Sequence, residues 1–462
     1  MLVAKSADRY EENQASERNQ MNSLALITRR WARVAAATAL ILTAVSFSAA
    51  QTSAPQTNRV VIHAGRLLEA KTGRWLPDQS IYVEGDKIAR IEAGAPKTAP
   101  EWTVIDLGNA AVLPGLIDCH VHLTISPSSF GYELLGISEA RQTLTGAANA
   151  RKTLLAGFTT VRNVGALGFT DVALRDAINA GDVPGPRLLV SGIPLSRTGG
   201  HFDNNLLPWE YHAKFAGVAD GVDGVQRMVR ENVKYGADLI KFMASGGVLT
   251  KGDDPQIPEY SLEEMKMIVS EAHRLHRKVA VHAHGSQAIL WATEVGADSI
   301  EHGSFMTDED IAAMKKHGTY LVPTLYTDDF LLANMQALHM PPFIVVKAQE
   351  VLPAAKKNIS RAFQSGVKVA FGTDAGVYPH GLNAHEFNSM VQAGLSPLAA
   401  IQAATVNAAD LLGWSDKIGT IEPGKLADVV AVDGDPLHEV RTLENVKFVM
   451  KGGQIVRNDY AK

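Results

Sequence analysis

The sequence predicts an α/β fold, a TIM-type (β/α)8 barrel with a small β-sandwich domain built from both termini. Three observations lead to this prediction. Short apolar segments rich in Val and Ile recur through the middle of the chain, with helical patterns between several of them. Further β patterns cluster at the two ends of the chain. Histidine, lysine and aspartate follow several of the middle segments, where a barrel carries its functional groups.

Composition is that of an ordinary globular protein. The chain has 462 residues, of which 46% are hydrophobic and 20% charged, and this is enough for one large domain and a smaller one. The formal net charge of −5 gives no electrostatic reason to expect nucleic acid. The single cysteine, Cys119, excludes an intramolecular disulfide and a cysteine-based structural zinc site, and we interpret it as a packing residue.

Residues 1–50 are predicted to be a disordered leader followed by a signal peptide. A basic stretch at residues 29–33 precedes an apolar stretch at 34–47 and small residues at 48–50. The apolar stretch is short for a membrane span, which leaves an N-terminal anchor as the alternative. We therefore expect export to the periplasm or the medium, with no membrane contact after cleavage; the choice between Sec and Tat export stays open.

The mature chain divides into a central barrel and two flanking β segments. Residues 51–113 carry short β patterns at 59–65, 79–85 and 87–91, and residues 416–462 carry others at 427–433 and 446–453. We predict that these two segments form one β-sandwich domain. The barrel then occupies residues 114–415.

Eight candidate strands fill the barrel segment. They are residues 116–122, 159–164, 187–191, 239–244, 279–284, 299–302, 320–325 and 367–373. The clearest helix starts at Ser261, which forms a capping box with Glu264 ahead of an apolar stripe. An open doubly wound sheet is the alternative, although no glycine-rich phosphate loop follows the first strand.

Potential metal ligands stand at the ends of five of these strands. Side chains two residues apart on a strand point the same way, so His120 and His122 converge on one point. Alone, each group would more often be a hydrogen-bonded core residue or a helix cap, but their joint placement indicates a metal site. The set is His120, His122, Lys241, His282, His284, His302 and Asp374.

This constellation resembles the amidohydrolase superfamily, and the resemblance covers nearly all of the mature chain. The segment Leu-Pro-Gly-Leu-Ile-Asp at 113–118 and the tail at 418–428 are typical of it. The resemblance implies two divalent metal ions, zinc first and manganese or cobalt as alternatives, with Lys241 carboxylated on its amine to bridge them. It also implies the ligand sets: His120, His122 and Asp374 for the buried metal, and His282 and His302 for the exposed one.

The resemblance further implies attack on an amide by a metal-bridging hydroxide, with Asp374 carrying the proton. His201 and His284 are candidates for stabilising the oxyanion or holding the substrate. Segments 241–247, 255–261 and 281–285 are similar to the branch of Xaa-Pro dipeptidases, related carboxypeptidases and ochratoxin-cleaving enzymes. We therefore expect a small substrate whose amide nitrogen belongs to a C-terminal amino acid with a free carboxylate, with Arg197 and Tyr260 as candidates for binding that carboxylate.

Several alternatives stay open from the sequence. A cyclic-amide hydrolase like imidazolonepropionase or dihydroorotase would share the metal site, and so would a lactonase or phosphotriesterase. A binding protein on an inactive scaffold would lack at least one ligand, and none is missing. We also expect a homo-oligomer, of a number that the sequence does not give.

Overall fold

The computed structural model describes residues 58–97, 99–127 and 131–461. The predicted leader and signal peptide, residues 1–50, lie outside the described residues. Among the helices of the described ranges, none has the length and hydropathy that crossing a bilayer requires.

The described chain opens with five strands that belong to one sheet. They are β1 (Arg59–Glu69), β2 (Arg74–Glu84), β3 (Lys87–Ala93), β4 (Thr103–Asp106) and β5 (Ala111–Pro114). Strand β1 lies antiparallel to β2 and parallel to β4 and β5. Alternate residues of β1 and β2, namely Val60, Ile62, Ile81 and Val83, belong to a small apolar core.

Seven parallel strands follow and form most of a barrel. They are β6 (Leu116–Val121), β7 (Phe158–Asn163), β8 (Arg187–Val190), β9 (Leu239–Met243), β10 (Lys278–Ala283), β11 (Ser299–His302) and β12 (Tyr320–Val322). Strands β6 to β8 pair in one run and β9 to β12 in another. Leu195 joins the runs by bridging to Phe242 in β9. Nearly every residue of these strands is buried, as expected of parallel strands covered by helices.

The barrel closes without a regular eighth strand. The segment predicted as strand eight, residues 367–373, bonds first to β12, through Lys368 O and Leu321 N, and then to β6, through Phe371 O and Cys119 N. This closing segment does not pair continuously with either neighbouring strand. Only isolated β-bridges form, at Val369 within the segment and at Ala375 just after it. The predicted seventh strand also ends early, at Val322, since the next residue, Pro323, has no N–H to donate.

Helices connect the strands and cover the barrel. They are α1 (Tyr132–Leu135), α2 (Glu139–Leu155), α3 (Thr170–Ala180), α4 (Gly221–Lys234), α5 (Leu262–Arg274), α6 (Ser286–Glu294), α7 (Asp308–His317), α8 (Leu325–Asn334), α9 (Pro342–Gln364), α10 (His385–Gln392), α11 (Pro397–Gln402) and α12 (Ala408–Leu412). The capping box predicted at the start of α5 is present, with Ser261 and Glu264 bonded reciprocally. Helices α8 and α9 form a long insertion between β12 and the closing segment.

Three C-terminal strands return to the first sheet. They are β13 (Val429–Val432), β14 (Val446–Lys451) and β15 (Gln454–Asn458). Strand β13 pairs antiparallel with β5, so both ends of the described chain share one eight-stranded sheet. The predicted α/β fold, a TIM-type barrel with a small β-domain drawn from both termini, is thereby confirmed.

Candidate metal centre

The carboxyl ends of the barrel strands gather the predicted ligands into one cluster. The ring centroids of His120 and His282 lie 5.0 and 4.7 Å from that of His302. Ligand atoms of His120, His302 and Asp374 lie within 4.8 Å of one another, and so do those of His282, His284 and His302. Two adjoining triads therefore share His302.

His122 joins the same cluster through Asp374. Its Nε2 lies 3.2 Å from Asp374 Oδ1, and His120 Nε2 lies 3.5 Å from the same oxygen. Lys241 is 1% exposed inside the barrel. The structure thus brings the predicted histidine and aspartate ligands together, with Lys241 buried in β9 of the same barrel. It places His284, predicted as a catalytic or substrate-binding group, within ligand distance as well.

Two of these residues have strained backbones. His302 and Asp374 have φ values of 71° and 58°, in the left-handed region that side chains other than glycine rarely adopt. Such conformations cost on the order of 1–3 kcal/mol each and concentrate at functional sites. Here they turn the side chains at the ends of β11 and the closing segment toward the cluster.

Hydrogen bonds fix which ring nitrogen each histidine presents. His120 Nδ1 bonds to Glu301 at 2.7 Å, and His302 Nδ1 bonds to the Thr324 hydroxyl at 2.8 Å. His122 Nδ1 bonds to a backbone carbonyl. In each case Nε2 remains for a metal, the arrangement usual for ligating histidines. His282 is reversed, because its Nε2 lies 3.3 Å from Gly246 O and Nδ1 remains.

Burial keeps the imidazoles of His282, His284 and His302 neutral, as metal ligands must be. It holds the pKa values of His282 and His302 well below their usual range and lowers the pKa of His284 to about 3. Burial alone would raise the pKa of Asp374, but its contacts with the rings of His120 and His122 outweigh burial and hold that pKa well below its usual range. The cluster therefore offers the neutral imidazole nitrogens of these three histidines beside an ionised carboxylate.

The donor set fits two divalent cations. Imidazole and carboxylate ligands suit zinc and its neighbours in the transition series. The amine of Lys241 forms no hydrogen bond or ion pair with any described residue, and burial lowers its pKa to about 8. A buried amine without a partner, on a strand of the same barrel as the metal ligands, is chemically suited to carboxylation.

Sequence reasoning missed a buried ion pair behind His120. Glu301, fully buried in β11, also accepts from Arg162 Nη2 in β7 at 2.8 Å. Burial would raise the pKa of Glu301, but Arg162 and the bond from His120 outweigh it and lower the pKa to about 2. Charged residues inside two apolar strands were the available signal, but their pairing across the barrel is not visible in the sequence.

His201 lies against the cluster. The His201 ring stacks on His282 with centroids 4.2 Å apart. The Arg197 guanidinium donates to its neighbour's carbonyl, Thr198 O. Tyr260 packs on Phe242, whose side chain faces away from the barrel interior because it alternates with Lys241. The carboxylate-binding role of Arg197 and Tyr260 stays a prediction.

Comparisons with known proteins agree with this architecture. Residues 111–456 match the family model described as the amidohydrolase family. The ochratoxinase of Aspergillus niger is 33% identical over 423 residues, which cover 86% of each chain. A Xaa-Pro dipeptidase crystallised with methionine in its active site superposes with a TM-score of 0.80 and 38% identity, covering 86% of this chain and 99% of the other. A prolidase complexed with N-methylphosphonate-L-proline gives a TM-score of 0.79 and 32% identity, covering 87% and 100%.

Proposed function

Because the chain belongs to the amidohydrolase family and is a hydrolytic enzyme acting on amide bonds, we propose that it is a binuclear metal-dependent carboxypeptidase-like enzyme. Its substrates would be dipeptides or N-acyl amino acids, including ochratoxin A, which it would split into ochratoxin alpha and phenylalanine. The observation that carries the proposal is the convergence of four histidines and Asp374 at one end of a barrel that also buries the unpaired Lys241. The similarity to an ochratoxinase and to Xaa-Pro dipeptidases supports the substrate class.

The residues that we propose to hold the metals are those that the resemblance to amidohydrolases implies. His120, His122 and Asp374 would hold the buried ion, His282 and His302 the exposed one, and a carboxylated Lys241 would bridge them. When bound, two zinc ions supply Lewis acidity and a nucleophile at neutral pH.

The other roles belong to side chains of this chain. The ionised Asp374 accepts a proton and returns it to the leaving nitrogen. His284 presents its Nε2, since Nδ1 is bonded to the Ser304 hydroxyl at 2.7 Å. His201 leaves its Nε2 without a hydrogen bond to any described residue. These two imidazoles are the groups that we propose to contact the scissile carbonyl or the substrate carboxylate.

The substrate class is tested by a hydrolysis panel. Metal-replete protein should cleave N-acyl amino acids, Xaa-Pro dipeptides or ochratoxin A, with release of the amino acid measured by chromatography. The matching carboxamides should be cleaved roughly 10- to 100-fold less efficiently, because they lose charge-assisted hydrogen bonds. Equal kcat/KM values for acids and carboxamides would contradict a site for the free carboxylate.

The binuclear centre is tested by metal analysis. A chelator should abolish activity, and elemental analysis of the active protein should recover about two metal ions per chain. Lys241→Ala should lower both the metal content and activity, and short carboxylic acids that replace the carbamate should partly restore them. A reproducible single metal ion, or full activity in the alanine variant, would overturn the bridged centre.

A further inference from the structure

We propose that Lys347 of helix α9 is a positioning residue for His201, which ties the α8–α9 insertion to the candidate active site. Its ammonium reaches across to the loop after β9. There it donates to Gly247 O at 3.0 Å, to Thr250 O at 2.8 Å and to the Asp253 carboxylate. The side chain is only 15% exposed, so these three bonds form in a largely dehydrated place.

Asp253 connects Lys347 to His201. Its side chain is completely buried, and while Oδ1 accepts from Lys347, Oδ2 accepts from Gly247 N at 2.7 Å. Oδ2 also lies 3.3 Å from His201 Nδ1. A buried carboxylate needs a cation and several donors to be stable, and Lys347 and the loop supply them.

The same loop encloses the His201 ring. Thr250 Oγ1 lies 2.8 Å from His201 Nδ1 and also donates to His201 O. A methyl group added at Gly247 would lie 2.1 Å from Cε1 of His201, so the ring packs directly on this glycine. With His282 stacked on the ring, Nε2 is the nitrogen left open beside the metal ligands.

Helix α9 is itself held against the loop by apolar packing. Three residues that flank Lys347 on the helix belong to a buried apolar cluster: Ile344, Ala348 and Val351. The cluster also contains Val248 of the loop and Val377, which follows the closing segment. Helix α9 is therefore fixed against the loop. Lys347 is the charged residue that links the helix to the part of the loop that contacts His201. Loss of the ammonium would leave the Asp253 carboxylate buried without its cation and release the loop that holds the ring.

The experiment compares Lys347→Met with a matched control on the same helix. Lys356→Met removes an ammonium that is 51% exposed and pairs with Asp329 at 3.3 Å. The kinetic arm rests on the proposed function and uses an amide substrate that wild-type protein cleaves. Lys347→Met should lower kcat/KM on the order of 10²-fold, the effect of a misplaced active-site group, while the control stays within about twofold.

The His201→Ala background separates positioning from general destabilisation. If Lys347 acts through His201, then Lys347→Met should have no further effect on kcat/KM in that background. An equal loss in both backgrounds, or no difference from Lys356→Met, would overturn the inference. If Lys347→Met does not fold, Asp253→Asn replaces it and should give the same pattern.

A comparison of crystal structures tests this inference independently of the proposed function. If wild-type protein cleaves none of the substrates, the proposed function fails, yet the position of His201 can still be compared in crystals of wild type and Lys347→Met. A ring displaced from His282 would support the inference. An unchanged stack on His282 would overturn it.

Discussion

Glu301 illustrates how one buried residue governs a ligand that it does not replace. One of its carboxylate oxygens accepts from His120 Nδ1, and the other from Arg162. The carboxylate therefore fixes the tautomer in which His120 offers Nε2 to the cluster. Arg162 in turn keeps the carboxylate ionised. The metal affinity of the candidate centre should then depend on groups deep in the barrel.

Replacing Glu301 by glutamine tests this dependence. The amide has nearly the same shape but no charge, so His120 loses its fixed tautomer and Arg162 its counter-charge. We expect Glu301→Gln to weaken metal binding by roughly 10- to 100-fold, as measured by elemental analysis after dialysis against buffered zinc. Glu271→Gln, a similar change in helix α5, should retain its metal. Equal retention by both variants would contradict the role of Glu301.

Some secondary-structure elements are determined by residues that are close in sequence, and others are not. The capping box at the start of α5 and the buried parallel strands depend on neighbouring residues, so the sequence could predict them. The conformation of the closing segment, by contrast, is not determined by residues close to it in sequence. Gly372 lies so close to β12 and β6 that a methyl group there would be 2.2 Å from Val322 and 2.9 Å from His120. Its course is decided by these distant neighbours, and its apolar pattern alone wrongly predicts a regular strand.

The same distinction applies to the site. Its ligands stand at strand ends, so the fold class was enough to bring them together. The positions of Arg197 and Tyr260 depend on how two loops pack, and no spacing rule describes that. The contacts of Asp253 with Lys347 and of Glu301 with Arg162 join residues 94 and 139 positions apart, respectively.

Helices α4 and α5 are joined by an ion pair whose contribution depends on pH. Glu271 accepts from Arg274 in its own helix and from Arg230 in α4, and these bonds lower its pKa to about 2. The folded state thus favours the ionised carboxylate. Its contribution is fully present above the ordinary carboxyl pKa, 4.5, and is lost as the pH falls toward 2.

Urea denaturation of Glu271→Gln at several pH values tests this link. At pH 7 the variant should be less stable than wild type by about 1 kcal/mol or less, because Arg230 and Arg274 are largely solvated. The difference should shrink as the pH falls below 4.5. Glu263→Gln, an exposed change in the first turn of the same helix, should show no such trend. A difference that is independent of pH would refute the assignment.

At the scale of the whole molecule, the barrel and the terminal sheet meet at a buried ion pair. Asp428, just before β13, is 5% exposed and accepts two bonds from Arg187 at the start of β8, at 2.6 and 3.3 Å. Its carboxylate also accepts from Gly452 N, and its carbonyl from Gly115 N. A single residue thereby connects the C-terminal strands to the start of the barrel. Lys451 adds a bond to Gly185 O nearby.

Asp428→Asn should therefore destabilise the barrel and the terminal sheet together. The change leaves the Arg187 guanidinium, 19% exposed, without its counter-charge, and breaking a buried pair in this way costs about 3 kcal/mol. We expect a lower urea midpoint with one transition, since β13 pairs with β5 and keeps the sheet and barrel continuous. Asp435→Asn, whose carboxylate is 39% exposed and 4.0 Å from Arg66, serves as the control and should shift the midpoint little. Two separate transitions in wild-type protein would show that the sheet and the barrel unfold independently, and the junction at Asp428 would then not couple them.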